Sequence, residues 1–230
     1  MRQESVQQHL ESNYLLSMLS ERSAALLQAR GRNLILPTGF TVHEAGAIEE
    51  YVYFPRGCVV AMMAVMNDGR ATGVALVGRE GVIGLSLPHS ERVTETRAQV
   101  LIGGAALRIA MTRIPALLQE CEGLETALVD YQQRFTSQAS RLAACNVLHG
   151  LEQRLSRWLL DIHRRGDGQP ISVTQETLAE ILGVHRASLN KELQKLREHG
   201  AIAVHRRGTI EVIDPAVLQG HACECVRVRS

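Results

Sequence analysis

The stretch from Val173 to Leu196, VTQETLAEILGVHRASLNKELQKL, constrains this chain more than any other. Thr174 is a good N-cap, because its hydroxyl can accept a first-turn N–H, and Glu176 suits the positive end of a helix. Ala179 is small where two helices must cross closely. Gly183 can take the left-handed conformation that a three- or four-residue turn requires. Beyond it Val184, Leu189, Leu193 and Leu196 fall on one face. Arg186, Ala187, Ser188, Asn190, Lys191 and Lys195 are left facing out. This is the pattern of a helix-turn-helix, whose second helix lies in the DNA major groove. Arginine can fork onto guanine and asparagine onto adenine, whereas serine is permissive. Lysines can neutralise phosphates. The other reading is a plain helical hairpin with a solvated cationic face.

Two further features favour the DNA reading. Residues Ala201–His205 and Thr209–Ile213 read as a hairpin wing with Arg206-Arg207-Gly208 at its tip. Whole-chain net charge is only +1, which by itself points to no nucleic-acid partner. The charge is unevenly placed, however. From His185 to Arg207 six basic residues face only Glu192 and Glu198, a surplus of +4 over 23 residues. A small average charge can thus hide a local patch. The candidate DNA contacts are Thr174, Gln175, Arg186, Ala187, Ser188, Asn190, Lys191, Lys195, Arg206 and Arg207.

Upstream the texture differs. Met1 to Gln28 reads helical, with Leu15, Leu16, Leu19, Leu26 and Leu27 near one face and Gly31 as a stop;. From Asn33 to Ala110 short apolar runs alternate with glycine turns at roughly 8–12-residue spacing, which suggests an antiparallel sandwich or barrel. Val59–Met66, Asn67-Asp68-Gly69 and Arg70–Val77 form the clearest hairpin. Then Leu117, Cys121, Leu124, Leu128, Tyr131, Phe135, Gln138, Leu142 and Cys145 recur at spacings of 4 and 3, a heptad seam;. One helix of this length is roughly 40 Å long. Self-pairing into a parallel dimer is expected; packing on its own β domain is the alternative. Asn146 is a plausible N-cap for the next helix, Val147 to Arg164. The division expected is 1–113 sensor, 114–145 dimerisation helix and 146–230 DNA-binding domain.

No run of 18 apolar residues and no signal peptide are visible, so no membrane partner is expected. The five cysteines are odd in number and scattered, which fits a reducing cytoplasm;. His221-Ala222-Cys223-Glu224-Cys225 could bind a soft metal or switch by oxidation, but three ligands so close cannot complete a tetrahedral site alone. His221, Cys223 and Cys225 therefore read as structural or incidental. Cys145 and His149, an i, i+4 pair, read as ordinary helix residues. His43 and His89 could be haem ligands, but lone histidines usually are not ligands. No nucleophile elbow or Walker sequence appears, so no enzyme is expected.

The order of glycine-punctuated β region, Val52-Tyr53-Phe54-Pro55, long helix and Leu178-Ala179-Glu180-Ile181-Leu182-Gly183-Val184-His185-Arg186 resembles the CRP/FNR family of bacterial transcription regulators. The resemblance covers residues 13–220. It implies an α+β chain with an N-terminal β-roll of the cyclic-nucleotide-binding jelly-roll kind and a C-terminal winged helix-turn-helix. It also implies a homodimer that binds a palindromic operator and meets RNA polymerase. Arg186 matches the family's guanine-reading arginine. Ala187 stands where a glutamate is common, and Lys191 where an arginine is. An effector pocket would take in Arg79, Gly84, Leu85 and Arg97. Its turn reads Val82-Ile83-Gly84-Leu85-Ser86, with leucine in place of the ribose-holding carboxylate. The phosphate-binding arginine is missing from its usual place, so cyclic AMP is not expected to bind. The first cysteine is Cys58, so an N-terminal iron–sulfur cluster is not expected either. A ligand-independent regulator, a thiol- or metal-responsive one through Cys223 and Cys225, and a protein-interaction module are the alternatives.

Overall fold

The structure is a computed structural model and describes residues 13–85, 93–205 and 208–227, with only the backbone of Arg227. Arg206, Arg207, Ser86, His89 and the first twelve residues of the expected N-terminal helix lie outside the described residues. Among the described residues the expected N-terminal helix is divided into α1 (Tyr14–Ser17) and α2 (Glu21–Arg30). Ser20 divides them, because its hydroxyl accepts the Ser23 N–H at 3.2 Å and starts a new helix;. The buried Asn13 amide donates to the Pro55 and Gly81 carbonyls at 2.9 and 2.8 Å, fixing α1 on the β domain.

Among the described residues seven antiparallel strands follow: β1 (Arg32–Leu36), β2 (Thr41–His43), β3 (Tyr51–Pro55), β4 (Val59–Val65), β5 (Ala71–Val77), β6 (Thr96–Ile102) and β7 (Gly104–Ala110). They form two sheets, β1-β7-β3 and β2-β6-β4-β5. The expected hairpin is β4 with β5, turned at Gly69 with φ 84°. Val60, Met62, Ala75, Val77, Ala98 and Val100 fill the space between the sheets. Gly84 holds φ +78°, and a Cβ there would lie 2.4 Å from the Tyr51 carbonyl oxygen. Only glycine permits that close approach, which lets Ile83 and Tyr53 exchange backbone hydrogen bonds at 2.9 Å;.

A short 3₁₀ turn leads to α3 (Ile114–Glu120), α4 (Leu124–Leu148) and α5 (Leu151–Arg165). Gly123, with φ 82°, interrupts what the heptad spacing reads as one helix. At about 1.5 Å per residue the 25 residues of α4 span about 37 Å;. It runs through Asn146, the expected start of the next helix, and the bend falls at His149-Gly150 instead. Asn146 accepts from Arg154 Nη1 at 3.5 Å rather than capping a helix.

The seam residues are covered by their own chain. Leu117, Cys121, Leu124, Leu128 and Tyr131 pack with Val52, Phe54, Leu107 and Ile109 on the outer face of the three-stranded sheet. Phe135 is partly buried there, and Leu142 joins the core shared with the C-terminal domain. The expected dimer seam is therefore an intrachain contact, the alternative reading of the same pattern.

The C-terminal domain comprises α5, β8 (Ile171–Ser172), α6 (Gln175–Leu182), α7 (Arg186–Glu198), β9 (Ile202–Val204), β10 (Thr209–Val212) and α8 (Pro215–His221). It sits on the outer face of the four-stranded sheet. Val59, Ala61 and Met63 of β4 share one core with Leu155, Trp158, Leu178 and Ile181. Successive strand residues point to opposite faces, so β4 is buried on both. Its sequence VVAMMAV is accordingly a continuous apolar run rather than an alternation;.

Candidate nucleic-acid interface

The recognition unit is built from a few local requirements. Thr174 Oγ1 accepts the Thr177 N–H at 3.0 Å and starts α6. Gly183 ends it in the left-handed conformation, φ 64° and ψ 39°. The Val184 N–H then returns to the Ala179 carbonyl at 3.0 Å, which closes the helix end and turns the chain into α7;. Leu189, Leu193 and Leu196 are buried under α7. Arg186, Ala187, Ser188, Asn190 and Lys191 are exposed on its other side.

Side-chain contacts differentiate the cations. Arg186 Nε donates to Gln175 Oε1 at 3.3 Å, so the first residue of α6 orients the first residue of α7. Thr174 is exposed beside them. Lys195 Nζ donates to both Glu192 oxygens at 3.0 and 2.9 Å, and Glu152 lies 3.9 Å away. The bond to Glu192 holds its pKa above the ordinary lysine value. Lys195 thus faces carboxylates, whereas Lys191, equally exposed, makes no ion pair among the described residues.

Strands β8, β10 and β9 form a three-stranded wing in that order. The His205 N–H donates to the Thr209 carbonyl at 2.8 Å, and His205 Nε2 lies 2.9 Å from Glu211 Oε2. These contacts join the ends of β9 and β10, and Gly208 holds φ 82°.

The four residues expected at an effector pocket do not converge on one cavity. Arg97 alternates with the inward-facing Ala98 and Val100, so it leaves the outer sheet face and pairs with Glu180 of α6 at 2.5 Å. Arg79 is buried, donates from Nε to the Arg56 carbonyl at 2.9 Å and pairs with Asp167 after α5. Gly84 and Leu85 belong to the turn beside β3, Leu85 packing toward the helical side. Both arginines thus reach the C-terminal domain. The sequence reading missed this domain contact, and the doubly apolar β4 was the signal that could have found it.

The Arg79-Glu80 turn joins the same contact: Arg165 Nε donates to Glu80 Oε1 at 2.7 Å. Burial opposes the Arg165 charge, and Glu80 and Asp161 outweigh it, holding its pKa above the ordinary arginine value. Thr72 Oγ1 donates to the Ile181 carbonyl at 3.2 Å. Gly73 lets the Trp158 indole rest on β5; a Cβ there would lie 2.5 Å from Cζ2.

The cysteine-rich tail is also rearranged. His221 Nδ1 lies 2.7 Å from Glu152 Oε1, and its ring sits 4.7 Å from that of His199. Cys223 and Cys225 turn away from it, toward Cys145 and His149. Burial, and then the hydrogen bond with Cys145, push the Cys223 thiol up to about 12.

Residues 153–220 match the Crp-like helix-turn-helix domain family. No curated protein matches by sequence. Among solved structures the chain is similar to FixK2 from Bradyrhizobium japonicum, with 15% identity, a TM-score of 0.68 and coverage of 84% of this chain and 98% of that one. It is similar to a CRP-family transcriptional regulator from Thermus thermophilus, with 18% identity, a TM-score of 0.68 and coverage of 84% and 99%. A CRP/FNR-family regulator from Eubacterium rectale shares 14% identity at a TM-score of 0.66, over 90% of this chain and 97% of that one. The chain thus has the fold of the CRP/FNR regulators, and its residues 153–220 belong to the Crp-like helix-turn-helix domain family.

Proposed function

We propose that this protein is a homodimeric, sequence-specific DNA-binding regulator of transcription, acting in the cytoplasm and not as an enzyme. Its signal acts through the β domain and is not cyclic AMP. The observation that carries the reading is the exposed face of α7, where Arg186, Ala187, Ser188, Asn190 and Lys191 stand on a helix anchored by three buried leucines. A helix docked in the major groove needs such a face, with basic residues at hand for phosphates. Arg97 is committed to Glu180, which supports the exclusion of cyclic AMP. Two recognition helices about one DNA turn apart, roughly 34 Å, would read a palindrome. RNA polymerase is the proposed protein partner in activation.

The dimer would form along the outer face of α4. Val129, Val147 and Leu148 are exposed there, at 47%, 84% and 74%. Thr136, Ser140 and Ala143 are small and exposed between them, which lets a second helix approach.

Selection of bound DNA from a random pool tests the reading. A palindromic site is expected, with affinity falling steeply as salt rises, because phosphate contacts release counterions. Arg186→Ala should cost about 1–3 kcal/mol and relax base preference at one position, while Arg207→Ala should weaken all sequences alike. A wild-type chain that binds specific and scrambled DNA equally would overturn the proposal.

A further inference from the structure

Four donor atoms from distant stretches of chain meet beside the bend between α4 and α5. Cys145 lies in the last turn of α4 and His149 ends it. Cys223 and Cys225 come from the segment after α8. The three sulfurs and a ring nitrogen of His149 all lie within 4.8 Å of one another. Cys145 Sγ is 3.5 Å from Cys223 Sγ, and Cys225 Sγ is 3.7 Å from His149 Nδ1.

Those separations have a chemical meaning. A tetrahedral zinc ion, with Zn–S about 2.3 Å and Zn–N about 2.0–2.1 Å, sets its ligand atoms about 3.5–3.8 Å apart. Thiol hydrogen bonds are weak and give no reason to gather three cysteines and a histidine in one place. The donor atoms lie close enough together to share one ion, whereas a cluster of several irons needs ligands spread around a larger object. Cys145 and Cys223 are buried while His149 and Cys225 are partly exposed, so an ion has a way in.

The surroundings match in charge. Three thiolates and a neutral imidazole around a dication carry a net −1. Arg157 is buried at 4% exposure, and its Nε and Nη2 have no hydrogen-bond partner among the described residues. It pairs through Nη1 with Asp161 at 3.2 Å, and its charge also acts on Cys225. A buried positive charge beside the site favours thiolates there, as outer-shell groups tune bound metals;.

We propose that Cys145, His149, Cys223 and Cys225 bind one Zn²⁺ in a tetrahedral Cys₃His site that clamps the C-terminal segment to the end of α4. Three thiol protons leave as the ion enters, and no electron is transferred. The C-terminal segment also hydrogen-bonds α5, where Arg164 Nη1 donates to the Val226 carbonyl at 3.4 Å. The ion therefore fixes the angle at which the DNA-binding domain leaves α4. That consequence rests on the function proposed above; the binding of the ion does not.

The test uses the reduced full chain, elemental analysis, chelator competition and Co²⁺ as a spectroscopic probe. One equivalent of zinc per chain is expected, with the intense visible bands of tetrahedral cobalt thiolate. Cys225→Ser and His149→Gln should weaken zinc binding at least about 10-fold, since loss of an outer-shell partner alone costs about 10–100-fold. His221→Gln should leave it unchanged. The proposal is overturned by no stoichiometric metal and no cobalt bands, by an iron–sulfur chromophore, or by equal loss in the His221 variant. Chelation should shift affinity for selected DNA at least about 5-fold, the low end of an allosteric coupling, and the ligand variants should lose that shift. A zinc-loaded chain that binds no DNA would sink the regulatory reading and leave the metal site standing.

Discussion

Gly183 shows how a single backbone angle carries the recognition unit. Its φ of 64° and ψ of 39° lie where a side chain clashes with the following carbonyl;. A Cβ there would also stand 3.3 Å from Thr72 Oγ1, which holds the Ile181 carbonyl. Gly183→Ala should therefore cost about 1–2 kcal/mol, read as a lower midpoint in thermal unfolding and faster amide exchange in α6 and α7. An unchanged midpoint would mean that the turn relaxes freely. Gly183 and Thr174 were legible in the sequence because each answers a local demand, one angle or one cap. Arg79 and Arg97 were not. Their partners Asp167 and Glu180 lie in another domain, and nothing in the residues beside either arginine marks which carboxylate it will meet. Cys145 and Cys223 escaped for the same reason, being 78 residues apart.

At the scale of elements, period is easier to read than partner. The 4-3 spacing after Pro115 correctly marks helix with one apolar face, yet it continues unbroken across Cys121–Gly123, where the chain turns. Periodicity also cannot say whether a second chain or the β domain covers that face, because both bury the same side chains. Leu128 at 5% exposure and Val147 at 84% separate the two cases. Leu128→Ala should destabilise the folded chain by about 2–5 kcal/mol and leave a dimer intact at low temperature. Val147→Asp together with Ala143→Arg should do the reverse, keeping the thermal midpoint of the β domain while sedimentation shows monomers. If Leu128→Ala dissociates the dimer and the double variant does not, the seam is the interface after all. The wing and the β4–β5 hairpin, by contrast, have neighbours in sequence as neighbours in space, and they were read with nearly their observed limits.

At the scale of the whole molecule, the contact between the domains fixes where α7 stands without covering it. The indole of Trp158, 1% exposed, rests where Gly73 has no side chain. The ion pairs Arg97–Glu180 and Arg165–Glu80 flank it. Such half-buried pairs add little by themselves, so the apolar contact dominates the docking. Strand β5 is the edge of its sheet, and position 73 faces the indole rather than the space between the sheets. Gly73→Val should therefore loosen the docking while each domain keeps its own core. Limited proteolysis at the Gly166–Pro170 loop and a larger hydrodynamic radius would register it. Since the outer face of α7 is exposed already, a DNA with one half-site should bind the variant nearly as well as wild type. A palindrome should bind it worse, because freeing the domains blurs the separation that one DNA turn demands of the two recognition helices in the proposed dimer. Equal loss on both DNAs would mean that the contact shapes α7 itself rather than its position.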